Sequence, residues 1–316
     1  MKNTSAIVFG GSGFIGTEIV RHLVHAEHMS VISADIVGPR DRIPTVEYRY
    51  CDVREPIDLP YQPDVIYNLA AVHRTPGHRE SEYYDTNVSG ALNVVRFGDT
   101  IQTKSLVFTS SIAVYGPSEE EINEASPQRP NSAYGKSKAI AETIHRMWRA
   151  QDSTRKLVIV RPAVIFGRGE NGNFERLYRA MRSRYFVFPG RKDTIKACGY
   201  VGELVRAIQW AVEEPDTELI FNFSYPERST SGDIVSAIAR HAELQEPSLN
   251  MPPVVASLVG KLQAHSGNHL FGRTMQRLAK LTTSNNVYPG VLVERNYEFQ
   301  TDLESGLALW ISSLQS

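Results

Sequence analysis

Disulfide and metal chemistry have little to build on in this chain. Its 316 residues contain two cysteines, Cys51 and Cys198, far apart and in no metal-type spacing. Inert thiols in a reducing compartment are the expectation, and no metal site is expected. Charge of one sign is lacking too: 34 basic and 35 acidic residues leave a net charge of −1, so nothing argues for an electrostatic grip on nucleic acid or anionic lipid. No apolar run approaches a membrane span. The moderately apolar Met251–Leu262 is interrupted by Pro252, Pro253 and Lys261 and reads as a docking helix. The first apolar run starts at Ala6, so no leader is expected and the cytoplasm is the expected location. Repeats and low-complexity tracts are missing, which sets aside solenoids and disordered linkers.

What is present begins with AIVFGGSGFIGTEIVRHLVHAEHMSVISAD, residues 6–35. An apolar run meets a glycine cluster, a helix-forming stretch follows, and a second apolar run ends at Asp35. Gly11, Gly13 and Gly16 fit G-x-G-x-x-G, and Gly10 adds the register G-x-x-G-x-x-G. Such glycines permit a sharp turn, let a pyrophosphate approach the backbone and let the helix pack closely on the sheet. The helix N-terminus then faces the phosphates with unpaired N–H groups. Asp35 follows Gly16 by nineteen residues, near where an acid would accept from the adenosine ribose hydroxyls.

Apolar runs at Val46–Tyr50, Asp64–Ala70, Lys104–Ser111 and Lys156–Arg161 alternate with helical stretches at Glu80–Gly98 and Ser132–Arg149. That alternation predicts an α/β fold with a doubly wound parallel sheet of the Rossmann type, ligands lying at the carboxyl ends of the strands. Residues 1–166 form the expected dinucleotide-binding domain, completed by a strand near 219–224. Residues 167–316 form a smaller, interleaved C-terminal lobe for substrate. In that lobe the sequence predicts helices over Phe174–Arg184, Tyr200–Val212 and Gly232–Ala242.

Tyr134 and Lys138 stand four apart and share a helix face. An ammonium there would favour the phenolate and lower the tyrosine pKa, suiting Tyr134 to acid/base work. The strand ending at Thr109, Ser110 and Ser111 points to the same crevice. Other clusters read as structure: His22, His25 and His28 as surface histidines, Glu119–Glu121 as a solvated loop, and Arg176, Arg179, Arg182 and Arg184 as a solvated helix face, one member of which could touch a diphosphate oxygen. Trp148 and Trp210 read as packing.

GGSGFIG, NLAA, SSIAVYG, YGKSK, RPAVIFG and the late YVGELVRA together resemble the extended short-chain dehydrogenase/reductase family, in its nucleotide-sugar epimerase/dehydratase branch. The resemblance covers some 225 residues in order. It implies NAD as cofactor, held at Gly10, Gly13, Phe14, Ile15 and Gly16, with Asp35 on the ribose and Asp52 and Val53 beside the adenine. Leu69, Ala70 and Ala71 pass under the cofactor, and Asn87 lies near it. Ser111, Tyr134 and Lys138 form the implied catalytic trio, Tyr134 and Lys138 also meeting the cofactor. His73, Ser111, Asn173 and Lys196 are the implied contacts to a nucleotide-diphosphate sugar. Relatives pair two helices per subunit, here Glu80–Gly98 and Ser132–Arg149, into a four-helix homodimer.

Three departures narrow the reaction. Dehydratases of this branch place Asp-Glu after the strand-end hydroxyl, and sugar-acid decarboxylases keep the Glu. Here Ile112 and Ala113 stand there and exchange no protons, which argues against both chemistries. Val164 replaces a common asparagine, and Lys196 a common arginine, exchanging a bidentate fork for a point charge. A sugar 4-epimerase using NAD is the leading expectation. A nucleotide 4-keto-sugar reductase of surface-polysaccharide synthesis using NAD(P)H is the alternative, and a non-catalytic dinucleotide sensor a remote one.

Overall fold

The computed structural model describes residues 4–74, 77–188, 191–247 and 283–315; the docking helix expected over Met251–Leu262 lies outside them. The first part of the chain runs β1 (Ser5–Phe9), α1 (Phe14–His25), β2 (Ser30–Asp35), β3 (Glu47–Tyr50), β4 (Val65–Asn68), α2 (Glu80–Tyr84), α3 (Gly90–Thr100), β5 (Ser105–Thr109), β6 (Ser118–Ile122) and α4 (Ala133–Ala150). There follow β7 (Lys156–Pro162), β8 (Val164–Phe166), α5 (Asn173–Arg182), β9 (Cys198–Tyr200), α6 (Val201–Glu213), β10 (Glu218–Phe223) and α7 (Ser231–His241). The described chain closes with β11 (Asn285–Val287), α8 (Gly290–Glu294) and α9 (Leu303–Gln315).

Seven strands form one parallel sheet in the order β10-β7-β5-β4-β1-β2-β3. Side chains alternate across it, as a two-residue period requires. Ala6 and Val8 of β1 face α1 and α6 through Ile19, Leu23, Leu204 and Ile208. Ile7 and Phe9 face α3 and α4 through Val94, Phe97, Ala141 and Trp148. With both faces covered, the strands carry near-continuous apolar runs. Strand order reverses between β1 and β4, which puts a crevice at their carboxyl ends. A third cluster, from Phe166, Phe174, Met181, Ile234 and Trp310, joins α5, α7 and α9.

Two expectations are corrected here. The single helix over Glu80–Gly98 is broken by a π turn at Asp85–Ser89, which adds a residue to the local turn and brings Asn87 to 3% exposure. Glu119–Glu121 is no loop but part of β6, which pairs with β11; Glu119 accepts from the Ser284 amide and hydroxyl at 3.2 and 2.8 Å.

Glu203 of α6, fully buried, ties down the chain before α9. It accepts from the Tyr297 hydroxyl at 2.7 Å, the Thr301 amide and hydroxyl at 2.8 Å each and Arg206 at 2.6 Å. Burial opposes its charge, but these donors hold its pKa below the usual range. Glu203→Ala would leave several buried donors unpaired, and a loss of about 3 kcal/mol is expected. Urea unfolding checks it; a change under about 1 kcal/mol would mean the segment is held otherwise.

Candidate active site

The crevice is assembled from loops that leave the carboxyl ends of β1, β2, β4 and β5. After β1 the backbone turns at Gly10, whose φ is +79°, and a Cβ there would come within 2.7 and 2.8 Å of Ala70 N and Leu69 C. Only glycine accepts both the sign of φ and the approach. The chain then enters α1 with no side-chain cap, so its first N–H groups are aimed at the crevice without a partner side chain, as a pyrophosphate cradle requires. Gly16 sits where any Cβ would overlap the Gly10 carbonyl oxygen.

Asp35, the last residue of β2, accepts from the amides of Ser12 at 3.0 Å and Val37 at 3.2 Å. Two backbone donors fix its orientation and leave lone pairs for further donors. Asp52 is bound by the Arg54 guanidinium, 2.9 Å from Nε to Oδ1, and that hydrogen bond holds its pKa below the usual carboxylate range. Val53 is buried beneath Gly90. The glycine cradle, the uncapped helix and the oriented Asp35 fit a dinucleotide.

Asn87 joins three pieces of the site. Its carbonyl accepts from the Val72 amide at 2.9 Å, and its amide donates to the Val72 carbonyl at 3.1 Å and the Ser137 hydroxyl at 2.8 Å. The loop following Leu69–Ala71 is thereby fixed to α4. Ser132 caps α4, accepting from the Gly135 amide at 3.1 Å, which starts the helix just before Tyr134. Ser111, at the start of a tight turn after β5, accepts from the Ala113 amide at 3.1 Å, and its side chain lies near enough to the Tyr134 phenol to favour the phenolate.

Electrostatically the trio differs from the sequence expectation. Burial raises the Tyr134 pKa, and the neighbouring Ser111 side chain only partly offsets it. Burial also presses Lys138, 2% exposed, down to about 7, against a smaller opposing pull from Glu142. Its ammonium lies 4.4 Å from the centroid of the Phe108 ring, which also stacks on the imidazole of His145 at 4.1 Å between centroids. The sign of the linkage follows. The unfolded chain holds the Lys138 proton up to about pH 10.5, whereas the fold releases it near 7. The unfolded state thus binds more protons in that window, and this residue's penalty on folding is relieved as pH rises through it. Relative to Lys138→Met, the wild-type chain is therefore expected to gain stability between about pH 7 and pH 10.5. Denaturant midpoints of both proteins across that window measure it; parallel curves would contradict it.

His73 is exposed at the crevice edge, and desolvation, with the charges of Arg74 and Lys138, lowers its pKa. Asn173 is the exposed first residue of α5 and accepts from Arg176 at 2.9 Å. Lys196 is half-buried; its ammonium donates to the Thr283 carbonyl at 2.6 Å, and burial brings its pKa down to about 8.

Sequence reasoning missed a buried network behind the trio. Glu142, one turn beyond Lys138, accepts from Arg161 at 2.8 and 2.7 Å, from Ser110 at 2.5 Å and from Gln128 at 2.7 Å. Arg161 continues to the Tyr115 hydroxyl at 2.6 Å, and that hydroxyl donates to Asn222 at 2.9 Å. The four-residue spacing from Lys138 was the available signal for Glu142. Also unforeseen is a cavity of about 210 Å³ beside α1, lined by Phe14, Thr17, Glu18, Arg40, Asp41, Arg168 and Gly169. Cys198 is buried and Cys51 half-buried, and burial raises both thiols, Cys51 to about 11 and Cys198 to about 12.

Fold and crevice together define a dinucleotide-dependent α/β enzyme. The sequence profile of the NAD dependent epimerase/dehydratase family matches residues 6–223. The chain belongs to that family, and it is an NAD-dependent enzyme. It is 29% identical over 263 residues to the N-acetyl-alpha-D-glucosaminyl-diphospho-ditrans,octacis-undecaprenol 4-epimerase of Escherichia coli O157:H7, covering 82% of this chain and 78% of that protein. It is 26% identical over 276 residues to the UDP-glucose 4-epimerase of Vibrio cholerae, covering 82% of each. Among solved structures, the Thermus thermophilus UDP-glucose 4-epimerase complex with NAD superposes with a TM-score of 0.77 at 21% identity, covering 99% of both chains.

Proposed function

We propose that the enzyme inverts C4 of a sugar carried on a diphosphate, with Tyr134 as the acid/base. The single observation behind this reading is the Tyr134 phenol, beside the Ser111 side chain and one helical turn from buried Lys138 at the dinucleotide crevice. NAD, when bound, supplies a hydride acceptor that later returns the hydride. Gly10, Gly13, Phe14, Ile15 and Gly16 would hold its pyrophosphate, Asp35 its ribose, Asp52 and Val53 its adenine edge. Leu69, Ala70, Ala71 and Asn87 would form its floor. Tyr134 takes the proton from the sugar hydroxyl and gives it back after the ring turns over; Ser111 steadies that oxygen. Lys138 stabilises the phenolate once substrate and cofactor displace water. Ile112 and Ala113 offer no second base, which favours inversion over elimination.

His73, Asn173 and Lys196 are assigned to the substrate, with a nucleoside diphosphate as carrier. A polyprenyl diphosphate is the second reading of the carrier, favoured by the Escherichia coli relative that spans 82% of this chain. No helix among the described residues is long and apolar enough to cross a membrane, and we place the enzyme in the cytoplasm. A homodimer through the helices of residues 80–98 and 132–149 belongs to this reading, and the exposed Leu92 of α3 and Ile140 and Met147 of α4 support it.

The test is to denature the purified protein, identify the released cofactor, and offer a panel of nucleotide sugars. Bound NAD and a C4-epimeric product with no net change in NADH absorbance would support the reading. Stoichiometric consumption of NADH or NADPH would replace it with a 4-ketoreductase.

A further inference from the structure

The arginines around α5 stand out by their clustering. Elsewhere exposed arginines are scattered, some against a carboxylate, as Arg49 on Glu47, Arg228 on Glu121 and Arg240 on Glu304, and others, such as Arg42, Arg96 and Arg129, exposed singly. Around α5, Arg168, Arg176, Arg182 and Arg184 are all exposed, and among the described residues none of the four is in an ion pair. Arg179 is the neutralised member, paired to Glu175. The opposite side of the helix is committed to the core, with Phe174 and Met181 buried and Leu177 and Tyr178 packed beside them. The basic side therefore stays in solvent. Just past the helix, Tyr185 is 85% exposed.

With a net charge of −1 over the chain, this excess is local rather than general. It also lies beside the site. α5 opens with Asn173, and the loop before it packs Gly167 against Phe14 and gives the Gly169 carbonyl to Arg40.

We infer that this face of α5 docks the enzyme on an anionic bilayer surface, with the mouth of the crevice beside the head groups. Guanidinium groups pair with phosphate in a bidentate way, and an exposed tyrosine suits the head-group level. The attraction grows with each arginine near the surface and is screened by salt. Nucleic acid would need positive charge along a longer track than one ten-residue helix supplies. The inference rests on the proposed C4 inversion and takes the second of the two carriers named for it, a lipid-anchored diphosphate sugar presented at that surface.

The test uses the full chain, saturated with NAD, sedimented with vesicles of phosphatidylcholine alone or mixed with phosphatidylglycerol in equal parts. The protein should sediment with the mixed vesicles, remain in solution with the neutral ones, and be released by added salt. Arg182→Glu with Arg184→Glu should lower partition at least about tenfold, with circular dichroism and NAD binding unchanged; Arg182→Lys with Arg184→Lys should keep it. If charge reversal prevents folding, Arg182→Gln with Arg184→Gln reads the same loss. Indifference of the wild type to phosphatidylglycerol, or undiminished partition of the folded double variant, overturns the inference. Turnover of sugars is measured in parallel: vesicle binding without any epimerisation supports the docking face and overturns the epimerase reading instead.

Discussion

Tyr134→Phe is expected to bind NAD as the wild-type enzyme does and to turn over about a thousandfold more slowly. The phenol oxygen is the proposed proton carrier and lies beside Ser111, and phenylalanine keeps the ring while deleting that oxygen. Its contact with Tyr83, at 6.3 Å between ring centroids, survives the change. The fold should hardly notice, because a half-buried hydroxyl whose desolvation is only partly repaid contributes about 1 kcal/mol at most. Single-turnover rates and cofactor titration separate the two effects. Residual turnover within about tenfold of wild type would move the acid/base role to another group, His73 being the titratable neighbour at the crevice.

Gly16→Ala should act on the other half of the site. Its methyl would overlap the Gly10 carbonyl oxygen, and Gly10 cannot retreat because Leu69 and Ala70 lie against it at 2.8 and 2.7 Å from where a Cβ would stand. The turn must therefore open, spreading the N–H groups meant for the pyrophosphate. A loss of NAD affinity of about a hundredfold, roughly 3 kcal/mol, is expected, with a stability loss of about 1–3 kcal/mol. Gly38→Ala is the control, since nothing lies within 4 Å of its added methyl. Calorimetric titration of cofactor-free protein measures the affinities. Equal NAD affinity in Gly16→Ala and wild type would remove the glycine turn from the cofactor site.

These sites were legible in the sequence for local reasons. The glycine turn, Asp35 and the Tyr134–Lys138 pair are separated by fixed short spacings that one strand or one helix imposes. The apolar runs of the parallel sheet announce themselves because both faces are buried. What stayed hidden depends on partners distant in the chain. β6 looked like a charged loop because its partner β11 lies some 165 residues away, where Ser284 meets Glu119. Arg161 and Glu142 stand on a strand and a helix, and only the folded chain buries them together. The sign of the Tyr134 shift was misjudged for the same reason: spacing on a helix reports proximity to Lys138, whereas desolvation is set by everything else that packs around the phenol. The π turn was invisible because one extra residue per turn leaves the apolar spacing of Glu80–Gly98 almost unchanged.

The central claim is that one phenol moves the proton while the hydrogen on C4 leaves and returns within a single closed site. A sugar diphosphate deuterated at C4 tests this most directly, with the product examined by mass and by NMR. The account expects the C4 epimer to keep the deuterium on the same carbon, with none exchanged to solvent and no added reduced cofactor required. An epimer that has lost its label to water, or a product formed only at the expense of added NADH or NADPH, would contradict it.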